Sequence, residues 1–136
     1  MSVTTIKVPA AHVEAIRESL AAARHDLAGA MTGARDSSTA SGSAARVRLA
    51  ELDDLVAQID AGAHAAGASR DLTGPRSELW AAAYDAACRA AERVLDDCNE
   101  YWRGAIAAAD VRARIADLGA RFELVDVLGP PPRARP

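Results

Sequence analysis

Apolar residues return at alternating spacings of three and four along four stretches of this chain, and that rhythm restricts the fold more than any other feature. Positions so spaced share one side of an α-helix, so each stretch must bury a stripe against a neighbour. Over residues 10–34 the stripe is Val13, Ile16, Leu20, Ala23, Leu27 and Ala30, while Glu14, Arg17, Glu18, Arg24 and Asp26 keep the other side in water. Over residues 44–64 it is Ala45, Leu49, Leu52, Val56, Ile59 and Ala63, with Leu55 beside it. The third and strongest stripe reads Trp80, Tyr84, Ala87, Ala91, Val94, Cys98, Tyr101 and Ala105, and it holds four of the five aromatic residues. That helix is therefore the expected centre of the core. Past Gly104 the rhythm slips by one position to Val111, Ile115, Leu118, Phe122 and Val125, which predicts a bend within 104–110 and a fourth helix, capped by Asp110, that ends near Leu128. Alternatively, the fourth helix stops at Leu118 with Gly119 as its terminal glycine, and 122–127 is a strand.

The predicted fold is mainly α, a three- or four-helix bundle with a short N-terminal β arm. Its 136 residues suit one domain, 1–128, with the arm at 1–9 and an extended Pro-rich tail at 129–136. Of the 68 hydrophobic residues 34 are alanine, so helices can approach closely but each contact buries little area. Residues 35–43, RDSSTASGS, offer local hydrogen bonds and almost nothing to bury, and read as a loop. Further on, Leu72-Thr73-Gly74-Pro75 reads as a helix start, with Thr73 or Gly74 as cap and Pro75 in the first turn. Asp85 and Arg89, Asp110 and Arg114, and Asp117 and Arg121 are spaced as acid-then-base pairs on solvated helix faces.

At the front, Val3 to Val8 alternates β-branched side chains before Pro9 closes the strand. A strand whose Ile6 and Val8 are buried must pair its backbone groups, and two mates are in view: the arm of a second copy, which the sequence favours, and 122–127. The segment VTTIKVPAAHVEAIRESL resembles the start of ribbon-helix-helix DNA-binding proteins. That resemblance implies an arm paired with its copy and the outward residues Val3, Thr5 and Lys7 in the major groove of DNA. Against a nucleic-acid partner stand the net charge of −3, the pI near 5.6 and the single lysine, Lys7, among sixteen cations.

Chemistry-bearing patterns are sparse. His12, His25 and His64 have no partner at ligand spacing, and the nearest constellation, Asp85, Cys88, Glu92 and Asp96, reads as a charged flank beside a half-buried thiol. No cofactor or metal is expected. Cys88 and Cys98 stand ten residues apart on one helix, about 15 Å along its axis, too far to bridge each other. No apolar run approaches the roughly 18–20 residues of a membrane span, and the opening lacks a signal-like charged and apolar stretch, so the cytoplasm is the expected address. The leading expectation is a non-enzymatic interaction or scaffold protein, a homodimer through the arm with an unknown protein partner, and with Ile6, Val8, Trp80 and Tyr84 as contact residues. The alternatives are a small DNA-binding regulator or antitoxin using the arm, and a bundle holding an apolar ligand or metal, with Trp80 and Tyr84 lining a pocket.

Overall fold

Proline has no amide hydrogen to give a sheet and a φ already set for a helix, and at Pro9 it makes that exchange: the strand ends and a helical turn begins at the next residue. The computed structural model describes residues 3–33, 40–61 and 68–132. In order these form β1 (Val3–Val8), a 3-10 turn (Ala10–His12), α1 (Val13–Gly33), α2 (Ala40–Ala61), β2 (Arg70–Pro75), α3 (Arg76–Trp102) and α4 (Ala108–Leu128). The protein is thus mainly α, with four helices and a short two-stranded sheet at the front among the described residues. Among the described residues no helix is long and apolar enough to cross a membrane. Residues 40–43, expected in a loop, already belong to α2; 34–39, 62–67 and the tail at 133–136 lie outside the described residues.

The arm's mate is neither of the two the sequence offered. β1 runs antiparallel to β2 of its own chain, pairing Thr5 with Thr73, Ile6 with Leu72 and Lys7 with Asp71, while 122–127 lies inside α4. Leu72 and Gly74 face the interior with Ile6 and Val8, whereas Asp71 and Thr73 face out. The Gly-Pro that reads as a helix cap is a strand end: α3 begins at Arg76, Pro75 is its N-cap, and Thr73 turns its hydroxyl to Thr5, 2.8 Å away. Gln58 of α2 covers the far edge of β2, accepting from the Thr73 amide at 2.9 Å and donating to the Thr73 carbonyl at 2.8 Å. One side-chain amide thereby serves where a third strand would be needed.

Gly74 is required for space. A Cβ there would stand 2.8 Å from Cδ2 of Leu55, a fully buried side chain of α2. Gly74→Ala is expected to destabilise the fold by about 1–3 kcal/mol through overpacking, and by clearly less in a Leu55→Ala background, where the methyl group gains room. Urea denaturation of the four proteins of this cycle measures the coupling; strictly additive effects would contradict the close approach.

Arg17 with Asp60 at 2.8 Å, and Arg24 with Asp53, join α1 to α2 in antiparallel sense. The hydrogen bond from Arg17 holds the Asp60 carboxyl below its ordinary range, although both groups are exposed and the pair adds little stability. On α3 the buried side is Leu79, Ala82, Ala83, Ala86, Ala87 and Ala90, which corrects the expectation that its aromatic residues fill the core. A row of alanines lets α1 and α4 come close; Trp80 packs half-buried against the core, while Tyr84, Tyr101 and Trp102 are exposed. Gly104, at φ 79°, ends α3 in the left-handed conformation that favours glycine. Ala107, rather than Asp110, is the N-cap of α4. At the other end of α4, Arg76 Nε donates to the Leu128 carbonyl at 2.7 Å and Trp80 Nε1 to the Gly129 carbonyl at 3.2 Å, satisfying acceptors that a helix terminus leaves open.

Candidate functional site

Helical residues advance by 100° each, so the side of α3 opposite its contact with α1 can be read directly from the numbering. Toward α1 and α2 lie Glu78, Ala82, Asp85 and Arg89. Well round from them run Tyr84, Cys88, Ala91, Leu95, Cys98 and Trp102, spaced 4, 3, 4, 3 and 4, all exposed or half-exposed. Leu95 is 67% exposed and Trp102 90%, values at odds with any role in the chain's own interior. On α4 the stripe Val111, Ile115, Leu118 and Phe122 is exposed or half-exposed in the same way, while Arg114, Asp117 and Arg121 turn toward α3 and the 3-10 turn. Because the helices are antiparallel and right-handed, the two stripes flank their contact on one side, the side away from α1 and α2. Together they form a nearly uncharged apolar face across two helices.

Of the residues expected to make contacts, Tyr84 lies on this face and Trp80 at its edge. Their rings stack with centroids 4.9 Å apart and planes 13° from parallel, closing on each other rather than around a pocket. Trp80 is also tied down by its bond to Gly129. Hydrogen bonding with Cys88, one helical turn on, raises the Tyr84 hydroxyl above its ordinary pKa. Ile6 and Val8 are corrected: at 4% and 1% exposure they belong to the core of their own chain, because the interior side of β1 faces Leu72. Val3, Thr5 and Lys7 do face outward, yet Lys7 stands directly across from Asp71.

Two polar clusters lie on the inner side. His12, buried, is 3.0 Å through Nε2 from Asp117 Oδ1; Arg121 Nε lies 3.0 Å from Asp117 Oδ2, and Arg121 Nη1 donates to the Ala86 carbonyl at 3.1 Å. This chain of contacts ties the 3-10 turn to α4 and α3. Sequence reasoning missed it because 105 positions separate His12 from its carboxylate. Arg48 of α2 pairs with the buried Glu78, whose hydrogen bonding raises the guanidinium pKa further. Of the spaced pairs, Asp85–Arg89 and Asp117–Arg121 form at 2.9 and 3.0 Å, but Arg114 turns from Asp110 to Asp97 of α3, 3.3 Å away. Beside Glu78, a cleft of about 210 Å³ opens between α1, α2 and α3, walled by Ala22, Ala23, Ala81 and Ala82, with the Ser19 hydroxyl at its base. Among the described residues no three His, Cys, Asp or Glu side chains converge to hold a metal ion. Compared with known proteins, the chain matches no family model, no curated protein and no solved structure.

Proposed function

We propose that this is a non-enzymatic interaction protein that works as a homodimer through the outward face of α3 and α4. One observation carries the reading: six large apolar side chains, Tyr84, Leu95, Trp102, Ile115, Phe122 and the half-exposed Leu118, line a single face that stays uncovered among the described residues. Scattered exposed apolar residues need no explanation, whereas a continuous face across two helices loses free energy until something covers it. The demand that suggested pairing through the arm is met by β2 and Gln58 within one chain, so the self-association surface moves to the helices. Free thiols at Cys88 and Cys98 fit work in the reducing cytoplasm.

Light scattering over a dilution series tests this, with tryptophan emission recorded on the same samples. The mass is expected to fall from twice the chain mass to once, and the emission to shift to the red as the nearly bare Trp102 returns to water. A monomer mass held up to millimolar concentration would overturn the proposal.

A ligand-binding role has one favouring observation, the Ser19 hydroxyl, buried without a hydrogen bond among the described residues at the base of the alanine-walled cleft. It predicts a small molecule that survives native mass spectrometry of the purified protein. DNA binding through Val3, Thr5 and Lys7 is disfavoured by the carboxylate of Asp71 opposite the only lysine.

A further inference from the structure

The α3 stripe reads the same in both directions. Tyr84, Cys88, Ala91, Leu95, Cys98 and Trp102 are spaced 4, 3, 4, 3 and 4, a sequence of intervals symmetric about position 93. The residue types mirror one another as well: an aromatic at each end, a cysteine inside each, and a small and a large aliphatic residue about the centre. On α4 the exposed stripe Val111, Ile115, Leu118 and Phe122 repeats the spacing 4, 3 and 4. The Asp97–Arg114 ion pair sets the register of the antiparallel hairpin, and four residues back along α3 and four onward along α4 lead to 93 and 118.

A two-fold axis lying in the apolar face and perpendicular to the helices, passing the centre of the α3 stripe at 93, would cross α4 at Leu118. Resting on the homodimer reading above, we infer that the second copy docks in this one antiparallel register, α3 over α3 and α4 over α4. Tyr84 then meets Trp102 of the second copy, Cys88 meets its Cys98, and Ala91 receives its Leu95. On α4, Leu118 meets its own equivalent, and Ile115 comes within one residue of Phe122 of the second copy. On α3 the aliphatic knob Leu95 has a small partner and each ring has a ring, the complementarity that an isologous contact demands of a single surface. Two helices, each about 10 Å wide, present a strip about 27 Å long between positions 84 and 102, so pairing removes on the order of 1,100 Å² from water. That area clears the approximate 1,000 Å² expected of a specific interface. Arg93, Asp97, Asp110 and Arg114 point into the groove on the other side of the hairpin or toward each other, and the exposed Glu92 and Asp96 flank the stripe at its outer rim rather than lying in it.

Cysteine complementation tests the register on the full-length chain. A short bis-maleimide is added to the wild type, to Cys88→Ser, to Cys98→Ser and to an equal mixture of the two variants; each thiol adds across one maleimide double bond, its sulfur bonding carbon and its proton passing to the neighbouring carbon. Linked dimer is expected in the wild type and in the mixture, with Cys88 joined to Cys98 in the peptide map. Either variant alone should give at least tenfold less, because each remaining thiol faces a serine. Leu95→Glu, which breaks the face, serves as the collisional control. Light scattering on the same samples separates the two levels of inference. Monomers throughout would overturn the homodimer itself. Dimers that link within a single variant, or dimers that never link, would overturn only the register.

Discussion

Leu95→Glu is expected to leave the chain folded and to raise the dimer dissociation constant by at least about a hundredfold, which is about 2.7 kcal/mol. In the monomer Leu95 is already 67% exposed, so a carboxylate there is solvated and the helix loses almost nothing. In the dimer each copy would bring a charge into an apolar layer against Ala91, with no cation on the face to compensate it. Burying such a charge costs several kcal/mol, more than the leucine contact supplied. Trp102→Ala should act in the same direction through lost ring area. Sedimentation equilibrium with circular dichroism checks both: unchanged helicity with unchanged dimerisation would remove the α3–α4 face from consideration, whatever its composition.

How much of this was legible beforehand follows from what each signal measures. Helical spacing depends on local geometry, so α1, α3, the break after Gly104 and the continuation of α4 through Phe122 and Val127 were readable. Spacing says which residues share a side and nothing about which side is covered. Helix α3 carries two such sides: the alanine row from Leu79 to Ala90, and the richer stripe from Tyr84 to Trp102. Weighting by size chose as the core a stripe from Trp80 to Ala105 that shares Tyr84, Ala91 and Cys98 with the second. The fold buries the first, since close helix approach favours small side chains.

Strand β2 was illegible for a different reason. Arg70-Asp71-Leu72-Thr73-Gly74-Pro75 has one large apolar residue and ends in two residues that discourage strands. It becomes a strand because tertiary partners make it one: Ile6 opposite Leu72, Leu55 against Gly74, and Gln58 on the outer edge. The His12–Asp117 contact belongs with it, a long-range pairing that no local pattern announces. The exposed face, in contrast, was present in the numbering all along as the stripes of α3 and α4. Only the exposure values reveal that they were left uncovered.

The second large effect lies at the sheet. Leu72→Ala is expected to destabilise the protein by about 2–5 kcal/mol, the range for removing a fully buried leucine and leaving a cavity. Leu72 is 0% exposed and faces Ile6 beneath the only strand pairing among the described residues, so the vacated space cannot be filled by a local shift. Val3→Ala on the outward side of the same sheet, where the side chain is 68% exposed, should stay within about 0.5 kcal/mol. Urea unfolding at a fixed protein concentration measures both, and a Leu72→Ala cost no greater than that of Val3→Ala would refute the burial of β2. The same variant also separates the two candidate dimer surfaces. If self-association ran through the arm, loosening β1 by removing its inward partner would weaken the dimer together with the fold. With association through α3 and α4, the folded fraction of Leu72→Ala should dimerise with wild-type affinity, because the substituted side chain lies within the core and the contact face is left intact.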